Sequence, residues 1–309
     1  MNITPDSPTQ PVENRLTLSP EEIDNLLFRV KNELRGDVFD RGDSQLIQQM
    51  IECLGDTRGM NRLGFAEALS VVGEPAVLPL MEALESHPNV VVQRAAAKTL
   101  TLIEDPRSIP LLLESFLHDP DQVVRNSCVG GLARMGSQVV PDLLEVIGSK
   151  DNDETIKGHA AWAIAFIGIQ AKEQIYAAYN SESEDVRSAV VGAVLKIAEE
   201  TPEDKAFEIL LDALQDKSVS VRSEGAAALG NLAYKPAINP LIDLLENSEP
   251  ESRKSAALAL MKIKEPVAIA NLQKALQEEA EASVQQVIKL AINQLQQQQQ
   301  EDVDDDWEI

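Results

Sequence analysis

Aromatic side chains are scarce in this sequence. They make up 4% of its 309 residues, although 44% of the residues are hydrophobic. Alanine, leucine, valine and isoleucine therefore supply most of the buried surface, which is typical of closely stacked helices. Histidine occurs only three times, as His87, His118 and His159. A metal site or a catalytic triad built on histidine would need these distant residues to converge, so we expect no metal and no catalytic residue.

Cysteine is equally rare, and Cys53 and Cys128 lack the spacing of a metal site. The simplest expectation is a reduced, cytoplasmic protein without disulfides. The N-terminal segment has neither the basic region nor the apolar region of a signal peptide, and no apolar run reaches the length of a membrane span. Glycine-rich nucleotide loops, zinc-protease helices and nucleophile elbows are also missing. These absences favour a soluble, non-catalytic protein that is not inserted in a membrane.

Basic residues are outnumbered by acidic ones. The sequence has 27 Lys and Arg against 51 Asp and Glu, a formal net charge of −24. A chain this acidic is repelled by nucleic acid and by anionic membrane surfaces, which disfavours both as partners. The same charge promotes solubility. Proteins and small ligands remain as the candidate partners.

An internal repeat is present, with a period of about 30 to 35 residues. A basic or amide residue, here called the anchor, recurs at Arg62, Gln93, Arg125, Lys157, Arg187, Arg222, Arg253 and Gln285. Seven residues after each anchor lies an aliphatic residue: Leu69, Leu100, Leu132, Ile164, Val194, Leu229, Leu260 and Ile292. Residues three and four after the anchor are mostly small or apolar. Offsets of 3, 4 and 7 predict a helix with one buried face that starts near each anchor.

A second amphipathic stretch precedes each of these helices, as in residues 76–84, 108–117 and 237–245. Proline early in these stretches fits the first turn of a helix, where the missing N–H costs little. Each repeat is therefore predicted to be two helices joined by a short turn. About eight such repeats cover residues 44–296.

A further patterned position lies six residues before each anchor. These positions are Asp56, His87, Asp119, Asp151, Ser181, Asp216, Asn247 and Glu279. All except His87, whose tautomer is unknown, are expected to accept a hydrogen bond at the start of the second helix and to meet a cation of a neighbouring repeat. Such contacts would form a ladder along the array. Its weak rungs are predicted at His87–Gln93 and Glu279–Gln285.

The spacing of an acid, five residues and an arginine, followed by two small residues and a leucine, resembles HEAT repeats. The short period resembles their phycobilisome-lyase-type variety, and the resemblance covers about four-fifths of the chain. It implies an all-α fold, a right-handed α-solenoid of about eight helix-turn-helix repeats. It also implies a phycobilisome context, although repeat proteins use one scaffold for many partners.

The two ends of the chain differ from the repeats. Residues 1–19 are polar and are expected to be disordered. Residues 20–43 are expected to form a capping helix and a loop, because Ser19 and Pro20 are typical of a helix start. Residues 297–309 combine a glutamine run with acids, and are expected to be an acidic tail that is either disordered or a frayed helix. This tail is either a solubilising segment or a short binding motif, whose candidate residues are Asp304, Asp305, Asp306, Trp307 and Ile309.

The stretch GHAAWAIAFIG, residues 158–168, places His159 and Trp162 at offsets 2 and 5 from the anchor Lys157, off the buried face. In HEAT-like arrays the second helix lines the concave side, so the resemblance puts both residues in a groove. Either Trp162 only fills space beside glycines at the same offset in the flanking repeats, or it is a binding hot spot. The full set of groove candidates is His159, Trp162, Phe166, Tyr176, Tyr179, Gly130, Gly192 and Arg134.

Three functions fit the sequence. The first is a non-catalytic protein-binding scaffold in a phycobilisome context, which would hold a phycobiliprotein subunit or a second HEAT-repeat chain in its groove and need no cofactor. The second, implied by the resemblance, is a subunit of a bilin lyase or a bilin-handling factor, whose aromatic group would contact a linear tetrapyrrole. The third is a chaperone-like helper of another cofactor pathway. We favour the scaffold.

Overall fold

The computed structural model describes residues 18–305, a part of the chain in which helices and turns occur but no strand. In chain order the helices are α1 Pro20–Arg35, α2 Ser44–Glu52, α3 Gly59–Val72, α4 Glu74–Ser86, α5 Val90–Ile103, α6 Ile109–His118, α7 Gln122–Arg134, α8 Val140–Gly148, α9 Glu154–Ile167, α10 Lys172–Ala178, α11 Glu184–Glu200, α12 Asp204–Ala213, α13 Val219–Asn231, α14 Ile238–Leu244, α15 Pro250–Ile263, α16 Ile269–Glu278 and α17 Ala282–Asp305. The predicted all-α fold is confirmed.

The chain forms two compact units that divide between Leu132 and Ala133, within α7. In unit 1, α3 packs against α5, and α2 packs against α4. In unit 2, the second helices α9, α11, α13, α15 and α17 pack side by side in that order, and each is paired with the shorter helix that precedes it. Each unit is therefore a stack of two-helix repeats, the arrangement of an α-solenoid.

The anchors define the repeats accurately. Each of the eight is the fourth residue of a second helix, as Arg62 is of α3 and Gln285 is of α17. The aliphatic residue seven positions later is buried in every repeat. Since two helical turns separate these positions, the offset of 7 returns to the face that packs against neighbouring helices.

Helix α1 covers the free side of α3. It begins with a capping box, in which Ser19 and Glu22 exchange side-chain and main-chain hydrogen bonds. Leu26 and Val30 are buried. Gly64 on α3 permits the close approach, because a Cβ at that position would lie 2.9 Å from Leu27 Cδ2.

One sequence expectation is corrected by the structure, at the start of α4. Pro79 was expected in the first turn of its helix, but α4 already begins at Glu74 and Pro79 lies inside it. The reason is Gly73, whose φ of 76° turns the chain so that α4 starts directly after α3, with Pro75 in the first turn. At the other end, α17 continues beyond residue 296 to Asp305. Glutamine is a good helix former, so the helix extends through the glutamine run.

Candidate functional site

The anchor side chains hold the turn between the two helices of a repeat. Arg62, Arg125, Arg187, Arg222 and Arg253 each donate from Nη1 to the main-chain carbonyl oxygen six residues earlier, at 2.5 to 2.9 Å. The amide of Gln285 makes the same bond to the carbonyl oxygen of Glu279 at 2.7 Å. The expectation of a weak rung at Gln285 was therefore wrong, because the bond needs one N–H donor and no positive charge.

The patterned position six residues before the anchor accepts a hydrogen bond from the main-chain N–H two residues after it. This bond forms at Asp56, His87, Asp119, Ser181, Asp216, Asn247 and Glu279. His87 was expected to be the exception, but its Nδ1 accepts from the Asn89 N–H at 3.1 Å. Its Nε2 then carries the proton and faces Glu52 Oε2 at 3.3 Å. Asp151 makes no such bond among the described residues.

Neighbouring repeats in unit 2 are joined by ion pairs. Arg187 binds both carboxylate oxygens of Asp216 at 2.7 and 2.9 Å, and Arg253 binds both oxygens of Glu279 at 2.7 Å. Burial alone would raise the pKa of Asp216, but the hydrogen bonds from Arg187 and the Ser218 N–H lower it below its usual range. Lys157 instead pairs with Asp185 at 2.6 Å. These contacts stabilise the stack, and none of them forms a catalytic group.

Trp162 and Phe166 form an exposed aromatic pair on α9. Their ring centroids lie 5.6 Å apart with an interplanar angle of 33°, and 51% and 57% of their surfaces are exposed. Trp162 also lines a cleft of about 400 Å³, here called the Trp162 cleft. The cleft runs across α9, α11 and α13, and half of the residues that line it are small: Gly158, Ala161, Ala165, Ser188, Ala189, Gly192 and Ser220. This arrangement presents an aromatic anchor beside a narrow space that an incoming side chain can fill.

Charged groups of both signs surround the Trp162 cleft. Glu154, Lys157, Asp185, Lys196 and Glu224 contribute to its lining. Burial raises the pKa of Glu224 above its usual range. Lys157 is held by Asp185, and Lys196 is held by Glu199 at 2.8 Å. A mixed set of charges suits a protein surface better than a ligand of one charge sign.

The other aromatic candidates lie elsewhere in unit 2. Tyr176 is buried on α10, where its hydroxyl donates to Glu203 Oε1 at 2.6 Å, and burial raises its pKa. Burial also raises the pKa of Tyr179 to about 12. Neither tyrosine lines the Trp162 cleft, and neither does the half-buried His159. The two tyrosines were grouped with Trp162 because they are close to it in sequence, whereas α10 is the first helix of the next repeat and Tyr179 directly follows it. His159 lies on α9 itself but is not among the residues that line the cleft.

Of the two glycines placed beside Trp162, Gly192 lines the Trp162 cleft. Gly130 belongs to unit 1, where it lines a different groove. Arg134 is exposed at the end of α7 and does not line the Trp162 cleft. The sequence reasoning missed Lys98, which also lines the groove of unit 1. Lys98 lies five residues after the anchor Gln93, the same offset as Trp162, so extending that offset to every repeat would have found it.

The residues of the C-terminal tail and the potential metal ligands do not form a site in the described part of the chain. Asp304 and Asp305 lie at the end of α17, while Asp306, Trp307 and Ile309 lie outside the described residues. Within residues 18–305, His, Cys, Asp and Glu form no group of three that could hold a metal ion. Over the same range, no helix is both long enough and apolar enough to cross a bilayer.

Comparison with known protein families identifies the repeats. The family model for HEAT repeats matches residues 47–133, 77–165, 117–193, 140–227 and 207–293. Together these matches cover most of the chain. The chain belongs to the HEAT-repeat family.

One curated relative is similar along nearly the whole length. The bilin biosynthesis protein MpeU of Synechococcus sp. (strain WH8020) is 33% identical over 280 residues, which cover 90% of this chain and 94% of MpeU. This identity and coverage place the two chains in one family.

Two solved structures were compared with this chain, and one of them shares its fold. A Kap121p mutant has a TM-score of 0.56 at 14% identity, over 92% of this chain and 38% of that one. A chain of the CpcE–CpcF complex of phycocyanin lyase from Nostoc sp. PCC7120 aligns over 94% of this chain and 100% of its own length, with 17% identity and a TM-score of 0.32. At 14% identity the likeness to Kap121p concerns the fold alone.

Proposed function

We propose that this chain is a non-catalytic binding factor for bilin-carrying proteins, and that it holds a phycobiliprotein subunit against the Trp162 cleft. The exposed Trp162–Phe166 pair carries the proposal. Large aromatic side chains left half exposed on a rigid helix are typical binding hot spots, because they bury much apolar surface at little cost in side-chain entropy. The name of the relative MpeU, a bilin biosynthesis protein, supplies the context.

The surroundings of the pair support a protein partner. The small residues of the cleft leave room for one inserted side chain, and the charges of both signs around it can meet opposite charges on a partner surface. The formal charge of −24 would also favour a partner with a basic patch.

The experiment measures binding of purified phycobiliprotein α and β subunits, without and with their bilins, by titration calorimetry. Trp162→Ala should weaken binding by more than about 1 kcal/mol, roughly fivefold in Kd. Gly158→Leu should weaken it as well, because the new side chain occupies the cleft and meets no atom within 4 Å of its Cβ. Phe28→Ala is the matched control, since Phe28 is an aromatic residue of α1 that is 72% exposed. Equal binding by Trp162→Ala and the unaltered chain would contradict the proposal.

Similarity to MpeU also favours a second candidate, a bilin lyase subunit. This function would produce a covalent bond between a bilin and a subunit cysteine. Incubation of the chain with free bilin and apo-subunit, followed by denaturation, distinguishes the two candidates. If the denatured subunit keeps its colour only when the chain was present during the incubation, the chain acts as a lyase subunit and the proposal of a non-catalytic binding factor is contradicted.

A further inference from the structure

One carboxylate in the lining of the Trp162 cleft has no counterion. Glu224 lies half-buried on α13, beside Gly192 of α11, where a Cβ would lie 3.4 Å from Glu224 Oε1. Burial raises the pKa of Glu224, and neither a hydrogen bond nor a cation acts against that effect. Within residues 18–305, no basic side chain lies within ion-pair distance of Glu224. The cleft therefore contains a partly desolvated negative charge that the described part of the chain does not neutralise.

The other charged groups of the cleft already have partners. Lys157 pairs with Asp185 at 2.6 Å and with Glu154 at 3.8 Å, and Lys196 pairs with Glu199 at 2.8 Å. Glu224 is thus the charged residue of the lining that remains without an opposite charge in the described residues. A cation that enters the cleft restores the interactions that Glu224 lost on burial, whereas an anion meets a like charge.

The aromatic wall of the same cleft also favours a cation. Trp162 is 51% exposed, and an indole ring attracts cations more strongly than the other aromatic side chains do. A guanidinium group is planar, so it can stack on the indole while its N–H groups bind a carboxylate through two hydrogen bonds. A lysine ammonium group offers no flat surface for stacking. The combination of Trp162 and Glu224 therefore favours arginine over lysine.

The shape of the Trp162 cleft suits a long, thin side chain. Its volume is about 400 Å³, and glycine and alanine leave the space between α9 and α11 open. At Gly158 a Cβ would meet no atom within 4 Å. The methylene groups of an arginine can lie against these small residues, while the charged end reaches α13.

We propose that the Trp162 cleft binds an arginine side chain of the protein partner, whose guanidinium group stacks on Trp162 and pairs with Glu224. That the arginine belongs to a partner protein rests on the proposed function, whereas the preference for a guanidinium group rests on the cleft alone. Trp162 by itself accepts apolar and aromatic side chains as well. Glu224 is the residue that makes the cleft specific for a positive charge.

The test titrates Nα-acetyl-arginine amide into the full chain and follows the indole N–H signal of Trp162 by NMR. The sequence has two tryptophans, so the signal that disappears in Trp162→Ala identifies the residue. The arginine amide should shift this signal until it saturates. Nα-acetyl-citrulline amide is the matched ligand, because it replaces the guanidinium group by an uncharged urea of nearly the same shape. It should bind at least about fivefold more weakly.

Two glutamate variants test the role of the carboxylate. Glu224→Gln keeps the size of the side chain, removes its charge, and should weaken binding of the arginine amide at least about fivefold. Glu200→Gln is the matched control, since Glu200 is an exposed glutamate of α11 that does not line the cleft. It removes the same charge and should leave binding unchanged. Gly158→Leu fills the cleft and should abolish binding.

Three results would overturn the inference: no saturable shift of the Trp162 signal, equal binding of the arginine and citrulline amides, or equal binding by Glu224→Gln and the unaltered chain. The subunit titrations separate this inference from the proposed function. Subunit binding that is weakened by Trp162→Ala but not by Glu224→Gln would contradict the inference alone. Specific binding of the arginine amide without any binding of a phycobiliprotein subunit would support the preference of the cleft and contradict the proposed function.

Discussion

Arg187 and Asp216 form a buried, bidentate ion pair between consecutive repeats, with only 6% and 8% of their side chains exposed. The same arginine donates from Nη1 to the carbonyl oxygens of Ser181 and Glu182 at 2.9 and 3.0 Å. The Arg187 side chain thus donates hydrogen bonds to carbonyl oxygens in the turn of its own repeat and to a carboxylate of the next repeat.

We expect Arg187→Leu to lower the free energy of unfolding by about 3 to 5 kcal/mol, because it leaves Asp216 buried without its cation. Urea denaturation followed by circular dichroism measures the change. Lys274→Ala is the control, since the Lys274–Glu246 pair is 63% and 71% exposed and such pairs contribute at most about 1 kcal/mol. A similar loss of unfolding free energy in both variants would show that the buried Arg187–Asp216 pair contributes no more stability than the exposed Lys274–Glu246 pair.

Trp162→Ala should leave the thermal midpoint nearly unchanged, because the side chain is 51% exposed and lies outside the buried face of α9. Ile164→Ala on the same helix should lower the free energy of unfolding by about 2 to 5 kcal/mol, because Ile164 is fully buried. Differential scanning calorimetry of the two variants measures both losses of stability and so distinguishes an exposed side chain from a buried one. A large loss in Trp162→Ala would mean that the tryptophan is structural and would remove the basis for the proposed binding site.

Two helical glycines are expected to respond oppositely to alanine. At Gly225 on α13 a Cβ would lie 2.7 Å from the Cβ of Ala213, so Gly225→Ala should destabilise the protein by about 1 to 3 kcal/mol. At Gly130 the space is open, and Gly130→Ala should stabilise it by up to about 1 kcal/mol through helix propensity. Urea midpoints of the two variants test this. A higher midpoint for Gly225→Ala would contradict the close packing between α12 and α13, and a lower midpoint for Gly130→Ala would contradict the open space at that position.

Acid should weaken unit 1 through Asp56. Hydrogen bonds from Arg58 lower the pKa of Asp56 to about 2, below the value of about 3.9 expected in the unfolded chain. A group with a lowered folded pKa contributes its stability above about pH 4 and loses it as the pH falls toward 2. Asp56→Asn should therefore lower stability at pH 7 and flatten its decline between pH 4 and pH 2. Glu85→Gln, an exposed change on α4, should leave that slope as it is.

Both cysteines should be unreactive in the folded protein. Burial raises the pKa of the Cys53 thiol to about 11 and that of Cys128 to about 12, so little thiolate forms at pH 8. A thiol reagent such as Ellman's reagent should label neither cysteine at pH 8 until urea is added, and then both. Rapid labelling of the native chain would show that the segment around Cys53 or Cys128 opens readily.

The local pattern of the sequence was enough to place the repeats. The anchors all fall on the fourth residue of a second helix, and every aliphatic residue seven positions later is buried. Helical periodicity depends on residues within two turns of each other, so it can be read along the chain. Trp162 was placed off the buried face by the same rule, and its exposure of 51% agrees with that placement.

The grouping of side chains was decided by the tertiary structure. Tyr176 follows Trp162 closely in sequence but is buried, and its hydroxyl donates to Glu203. The offset of Lys98 from its anchor can be read from the sequence, but the residues that line a groove with it come from three different helices. Gln285 replaces an arginine because its bond goes to a main-chain oxygen, a partner that sequence spacing cannot reveal. The sequence by itself determined where the second helix of each repeat lies and which of its faces is buried, but not where α4 begins or where α17 ends. Which polar and aromatic groups meet depended on packing between residues about 30 positions apart, and only the folded chain decides that.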